Sequence, residues 1–364
     1  EKQLQVGARL RGEEQRKDEQ ENEAGSNKMD RKQKTNKIEM QDYSELFKKL
    51  SGKKAIVVGD VMVDAYMMGK VDRISPEAPV PVVSVADRKY RLGGAANVAL
   101  NIAAFGAEVY LCSVIGNDNM GQIFRDLLHE NNLPDNGIIS SENRKTTTKT
   151  RIISGGQHLL RIDDEDASQI SDELKEILMF RISQIIENEH IDVLVFEDYD
   201  KGLLSPDIIH RITMLCRQNK IKVTVDPKKR NFDAYKYVTM FKPNLKEFCE
   251  GCKIERSTDT ETLKPHAKKF MQKNNIDILM VTLSENGILI CTQKRYVHIP
   301  AQIRDIVDVS GAGDTVISVA SLLLTATDDV EEIARISNLA GGIVCEKVGV
   351  VPIDLEVLKR KIAE

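Results

Sequence analysis

The stretch Lys54-Ala55-Ile56-Val57-Val58-Gly59-Asp60 decides the architecture of this chain. Its continuous apolar run, closed by a glycine and an acid, reads as a short strand buried on both faces. The same kind of run returns at Val109–Val114, Val193–Phe196, Lys222–Val225 and Ile278–Val281. Each follows an amphipathic pattern at helical spacing, over Asn97–Phe105, Asp172–Ile186, Pro206–Arg217 and Leu263–Gln272 in turn. Such alternation predicts an α/β fold with a mostly parallel sheet covered by helices on both faces. Two stretches break the rhythm. Val80–Val85 alternates and carries prolines, while Thr146–Ile153 and His158–Ile162 make a hairpin pattern around Gly155-Gly156. A small β-sheet lid over segments of approximately 61–91 and 145–165 accounts for both. Ser44–Leu50 reads as a lead-in helix, and Glu331–Cys345 and Leu355–Ile362 as closing helices.

The chain has 364 residues, 41% of them hydrophobic and 30% charged, which is enough apolar material for one large domain over residues 41–364. Residues 1–40 are rich in Glu, Lys, Arg, Gln and Asn and read as a flexible charged tail that cannot bury enough surface to order itself. The net charge of −4 argues against a nucleic-acid partner. No apolar run is long enough to span a bilayer, and no secretory hydrophobic region opens the chain. Cys112, Cys216, Cys249, Cys252, Cys291 and Cys345 lie mostly in apolar segments, the pattern of reduced thiols in a cytoplasmic protein. Cys249 and Cys252 have redox or zinc spacing but no second pair and no nearby histidine, so they read as incidental.

Chemistry concentrates in Asp308-Val309-Ser310-Gly311-Ala312-Gly313-Asp314-Thr315. Val316, Val319, Ala320 and Leu323 follow at helical spacing. Gly311 and Gly313 let the backbone approach a ligand, and the helix start behind them favours an anion. Asp314 there can take a proton from an attacking hydroxyl while the amides stabilise a transferring phosphoryl group. An aspartate after a glycine turn is also an ordinary helix cap, so this motif alone does not decide.

Four further constellations stand beside it. Gly59-Asp60-Val61-Met62-Val63-Asp64 reads as a strand end with two carboxylates, Asp64 being placed for a polyol. In Arg91-Leu92-Gly93-Gly94-Ala95-Ala96-Asn97, the glycines Gly93 and Gly94 open a helix and Asn97 offers both donor and acceptor to a sugar. Asp226-Pro227-Lys228 ends a strand; beyond it Asn244 and Glu247, three apart at a helix start, suit either a hydrated magnesium ion or a capping pair. Thr282–Gly287, with Ser284 and Gly287, is a polar turn suited to nucleotide phosphates. Neither GxGxxG nor GxxxxGK[ST] occurs, which speaks against an NAD enzyme and against a P-loop.

Together and in this order, these pieces resemble the ribokinase-like (pfkB-type) carbohydrate kinases, from about Lys54 to the C-terminus. Arg73-Ile74-Ser75-Pro76-Glu77-Ala78-Pro79-Val80-Pro81-Val82 and Gly93–Ala99 look like the kinase module of the D-glycero-β-D-manno-heptose-7-phosphate kinases, and Asp198-Tyr199-Asp200-Lys201-Gly202 agrees. The resemblance implies Asp314 as base, with an anion hole from Gly311, Ala312 and Gly313. It also implies Asn244 and Glu247 serving ATP and Mg2+, Ser284 and Gly287 near the nucleotide, and Asp64, Gly93, Gly94 and Asn97 on the sugar. A monovalent-cation (K+) loop maps near Asp308 and Ser310. The implied reaction moves the ATP γ-phosphoryl group to the anomeric hydroxyl of heptose 7-phosphate, giving the 1,7-bisphosphate for the lipopolysaccharide core. A substrate that already carries phosphate needs cations, and Arg73, Arg91, Lys149, Arg151, Arg161, Lys201 and Lys228 are the candidates. A cytoplasmic homodimer packed lid on lid is the family expectation.

The chain departs from these relatives in several places. It has no His-x-Gly-His motif, so the resemblance implies a stand-alone kinase with a separate adenylyltransferase downstream. Ser310 and Lys242 stand where threonine is usual, and Glu197 replaces a common serine, adding charge beside the site. The rival readings are a kinase of ribose, fructose or a nucleoside, and a catalytically silent sugar-phosphate-binding protein. The intact Gly311, Gly313 and Asp314 speak against the silent protein.

Overall fold

The computed structural model describes residues 43–302 and 304–363, so the expected tail lies outside the described residues. The chain divides into two units, Glu1–Lys48 with Ala363–Glu364, and Lys49–Ile362. Residues 43–50 are helical (α1). All that follows concerns the second unit.

Strands and helices fall where apolar continuity and helical spacing predict them. The first half carries β1 (Lys54–Gly59), β2 (Val61–Ile74), β3 (Pro81–Gly94), α2 (Ala95–Ala103), β4 (Glu108–Gly116), α3 (Asn119–Glu130), β5 (Ile138–Ser141), β6 (Thr148–Ser154), β7 (Gln157–Asp164) and α4 (Asp172–Asn188). Next come β8 (Val193–Glu197), α5 (Pro206–Gln218), β9 (Lys222–Asp226), β10 (Met240–Phe241), α6 (Leu245–Cys252) and α7 (Thr260–Asn274). The chain closes with β11 (Ile278–Thr282), β12 (Ile288–Thr292), β13 (Tyr296–Ile299), α8 (Ala312–Leu323), α9 (Val330–Val344) and α10 (Leu355–Ala363).

A nine-stranded sheet runs in the order β13-β12-β11-β10-β9-β8-β1-β4-β5. It is parallel from β11 to β5, while β12 runs antiparallel to both of its neighbours, β11 and β13. The strands β1 and β8–β11 are almost wholly buried, as strands covered on both faces must be. A separate four-stranded sheet, β3-β2-β6-β7, takes up the two segments that broke the sequence rhythm.

One expectation needs correction, and one loop carries apolar residues without being a strand. Asp64 was placed beyond a strand end, but the chain passes Asp60 and enters β2 at once, so Asp64 is a strand residue of the small sheet. The glycine run before α8 does not follow a strand, because residues 304–311 form no ladder with either sheet. That stretch leaves Ile306, Val307 and Val309 exposed, so its apolar content reflects no buried strand.

Side chains cap most of the helices. Asp118, Ser171, Ser205, Asn244, Asp259 and Asp329 each accept a backbone N–H in the first turn that follows. α2 and α8 differ: their caps are Gly94 and Gly311, with no side-chain hydrogen bond. The first N–H of each goes instead to a backbone carbonyl, Ala95 to Asp60 at 3.0 Å and Ala312 to Val309 at 3.3 Å.

The core beside β9–β11 is aromatic. Phe241 on β10 meets Phe232 edge-on with centroids 5.0 Å apart, and lies 5.2 Å from Phe270 and 6.0 Å from Tyr235. This cluster anchors the strand whose continuation carries Lys242 and Asn244. Phe241→Ala is expected to cost about 3–5 kcal/mol of unfolding free energy, measured by urea denaturation, because the cavity cannot collapse beneath a central strand.

Candidate functional site

Asp314 lies in the first turn of α8 and is only 5% exposed. Its two oxygens each receive one hydrogen bond at 2.8 Å, from Asn97 Nδ2 at Oδ2 and from Tyr199 Oη at Oδ1. Burial pushes the Asp314 carboxyl above the usual aspartate range, and these two donors partly counter it. Burial and the neighbouring carboxylates push the Tyr199 phenol well up, so it stays a donor. Asn97 is itself held: Asn101 Nδ2 donates to Asn97 Oδ1 at 3.2 Å, and Asn101 Oδ1 accepts from the Thr315 hydroxyl and the Ile353 N–H. The side chains flanking the acid thus have one arrangement.

Gly311 has φ of 80°, the left-handed region, and a Cβ there would lie 2.9 Å from Asn97 Nδ2. Only glycine gives both the turn and the clearance. Beyond it the Ala312 N–H donates to the Val309 carbonyl at 3.3 Å, and no side chain caps the start of α8.

Parallel register brings further acids to this point. Glu197 and Asp226 end neighbouring strands as direct register partners. Their carboxylate oxygens and one of Asp314 lie within 4.8 Å of one another. Lys242 Nζ bonds Asp226 Oδ2 at 2.8 Å, and a Cβ on Gly313 would sit 3.6 Å from that ammonium. Lys228 Nζ is 4.0 Å from Asp226 Oδ1 and donates to Glu247 Oε1 at 2.9 Å. Glu197 is fully buried and neither of its oxygens has a hydrogen-bond partner. Burial, then Asp226 and Asp314, push its carboxyl far above the normal glutamate range.

The two nucleotide candidates also meet. Asn244 bridges to Thr282 as a parallel pair, so the α6 start and the turn after β11 are adjacent. Ser284 and Gly287 both have positive φ, 54° and 89°. Asn244 and Glu247, however, form a reciprocal capping box at 2.9 Å each way. Glu247 therefore accepts one hydrogen bond at each oxygen, from the Asn244 N–H and from Lys228.

The small sheet turns one charged face to this region. Register puts Arg91, Asp64, Lys149 and Asp163 in one cross-strand row, and Tyr66, Arg151 and Arg161 in the next row on the same face. Arg151 pairs with the buried Asp64. Lys149 bridges Asp163 at 3.1 Å and Glu165 at 3.3 Å, Lys201 reaches Glu165 at 2.7 Å, and Arg161 reaches Asp163 at 2.9 Å. Arg91 donates instead to the Val348 and Val350 carbonyls. Arg73 stands exposed near the far end of β2. Gly93 keeps Asp64 in place, since a Cβ there would fall 2.3 Å from Asp64 Oδ2. Gly94 has φ of 60° and passes so close to β2 that a Cβ would strike the Asp60 carbonyl.

Asp308 accepts from Ser310 N at 2.9 Å and Gly349 N at 2.8 Å. Burial works to raise it, but these donors prevail and hold its carboxyl below the usual range. It ties the loop before α8 to the 345–350 segment. Asp60, the other acid of the β1 end, accepts the N–H groups of Tyr199, Lys201 and Leu203 and is structural; burial lifts its carboxyl to about 6.

Sequence reasoning thus brought together Asp314, Asn97, Gly311 and Gly313, and separately Asn244 with Ser284. It passed over Tyr199 as a donor and did not count Glu197 or Lys242 among site residues. The signal was present in the two departures, an acid and a base replacing small hydroxyls at strand ends.

The description "pfkB family carbohydrate kinase" matches residues 53–356, and the chain belongs to that family of ATP-dependent sugar kinases. It is 37% identical over 318 residues to the bifunctional protein HldE of Syntrophotalea carbinolica, covering 86% of this chain and 64% of that protein. With HldE of Citrifermentans bemidjiense it shares 38% identity over 315 residues, again 86% and 64%. The chain therefore spans just under two thirds of the length of these relatives. Among solved structures, phosphofructokinase-2 from Escherichia coli in complex with potassium superposes with a TM-score of 0.71 at 18% identity, covering 86% of this chain and 98% of that one. Arabidopsis thaliana ribokinase complexed with ribose and ATP gives 0.65 at 17% identity, covering 85% and 99%. These two establish the ribokinase-like fold.

Gly311→Ala is expected to cost about 1–2 kcal/mol through its left-handed backbone and to displace Asn97 from Asp314. Thermal denaturation and turnover should fall together in this variant.

Proposed function

We propose that this chain phosphorylates D-glycero-β-D-manno-heptose 7-phosphate at its anomeric hydroxyl, using ATP with a divalent metal ion, in the cytoplasm and as a precursor step for lipopolysaccharide. The observation that carries the reading is the convergence on one point of a buried acid and a helix N-terminus without a side-chain cap, opposite a cationic small-sheet face. The identity of more than a third with proteins named HldE supports the sugar.

In this reading Asp314 takes the hydroxyl proton as the γ-phosphoryl group transfers, and the Gly311, Ala312 and Gly313 amides stabilise the equatorial oxygens. Asn97 and Tyr199 aim the acid. Asp64 and Asn97, with the Gly93-Gly94 turn, hold sugar hydroxyls. Lys149 and Arg151 are the best-placed cations for the 7-phosphate, because both lie next to Asp64 on the shared face. Asn244, Ser284 and Gly287 line the nucleotide side. Lys242 supplies fixed positive charge beside the anion hole.

Potassium at the loop of Asp308 and Ser310 belongs to the same proposal, prompted by the potassium complex of the Escherichia coli enzyme. So does a homodimer through the small sheet, where Ile74, Val85, Leu160 and Ile162 stand exposed.

An ADP-release assay over a sugar panel tests the substrate. Turnover on heptose 7-phosphate well above ribose, fructose and nucleosides is expected, and preference for an unphosphorylated sugar defeats the assignment. Asp314→Asn should lower turnover by roughly 10²–10⁴-fold while nucleotide binding, followed by calorimetry, persists. Lys149→Met should raise KM for the phosphorylated sugar about 10-fold or more, the worth of a charged hydrogen bond, with KM for ATP unchanged.

A further inference from the structure

We propose that Glu197, Asp226 and Asp314 form a divalent-cation site of the magnesium and manganese class, which this protein fills before nucleotide or sugar arrives. The inference shares Asp314 with the kinase reading and deepens it by naming a cation at the same site.

The geometry comes from two strand ends and a helix start. Glu197 closes β8 and Asp226 closes β9 in direct register, so their side chains leave the sheet on the same face. Asp314 comes down onto them from α8. One oxygen from each lies within 4.8 Å of the other two. Around a magnesium ion with bonds of about 2.0–2.1 Å, neighbouring oxygens are roughly 3 Å apart and opposite ones roughly 4 Å apart. A small contraction of the cluster meets that requirement. The donors are all carboxylate oxygens, the set chosen by hard cations, with neither sulfur nor imidazole present.

Glu197 is the independent witness. It is fully buried, and both of its oxygens lack a partner. Its neighbours across the cluster each have theirs: Asp226 holds Lys242 at 2.8 Å, and Asp314 holds Asn97 and Tyr199. A buried carboxylate with no donor costs several kcal/mol, and sequences retain one only where something meets it.

Charge counting identifies what that is. With Glu247 counted in, four carboxylates face two cations, Lys242 and Lys228. The remainder is two negative charges, which a divalent ion cancels and a further lysine would not. The neutral donors on Asp314 leave each of its oxygens a second lone pair.

The test uses the full chain without nucleotide or sugar, with Mn2+ as the probe. Electron paramagnetic resonance of free Mn2+ should show saturable binding of a single ion per chain, displaced by Mg2+. Glu197→Gln should weaken it 10-fold or more, at least the loss seen for supporting residues of metal sites. Glu173→Gln, an exposed acid on α4, should leave it unchanged. If Glu197→Gln does not fold, Glu197→Ser serves as a smaller, uncharged replacement. A measurement on unaltered protein is Tb3+ emission excited through Tyr199, which should appear and be quenched by Mn2+ in competition. Absence of saturable Mn2+ binding, or equal affinity in the Glu197 variants, overturns the site. Neither result bears on the ADP-release assay, so loss of the cation site and loss of the kinase reading are told apart.

Discussion

The positive end of α8 meeting the buried carboxylate of Asp314 is the constraint around which the rest is arranged. A helix start with no side-chain cap leaves backbone donors without a side-chain partner, and a buried acid is costly unless it is held. The two problems have one answer: no side chain closes the helix start to an anion, while Asn97 and Tyr199 hold the acid beside it. Every other helix with a described side-chain cap closes its N-terminus locally. Gly94 and Gly311 are the exceptions, and both border this point.

Buried charge here is balanced by placement rather than by exposure. Lys242 and Lys228 enter among Asp226, Glu197 and Glu247, where each lysine is drawn by more than one acid. Burial alone would favour neutral lysines, but the surrounding carboxylates reverse that and keep both charged. Such a network is intolerant of single losses, because removing one member strands its partner in a poorly solvated place. It also fixes where negative charge can be accepted: beside Lys242 and the Gly313 backbone, not deeper in the sheet.

The small sheet contributes differently. Its cations are paired with acids on the same face, Arg151 with Asp64 and Lys149 with Asp163 and Glu165. Arg91 and Tyr66 join the sheet to the 348–350 segment, and Asp308 joins that segment to the loop before α8. A continuous set of hydrogen bonds therefore links the charged face to the helix start, so the two sides of the cleft are held in register.

The strand and helix order, the small sheet and the Gly-Ala-Gly-Asp helix start were legible in the amino-acid order itself. Burial on two faces leaves an unbroken apolar run, and a helix leaves its own spacing, both of which are local. The aspartate and its glycines were legible for the same reason. Asp64 was misplaced because nothing local separates a turn from an immediate entry into a new strand. The Glu197, Asp226 and Lys242 cluster and the Tyr199 donor depend on which strands become neighbours. That choice is made by packing across distant segments, which no single stretch encodes. Composition thus settled what the elements are, and the parallel register of β8, β9 and β10 beneath α8 decided which charges meet.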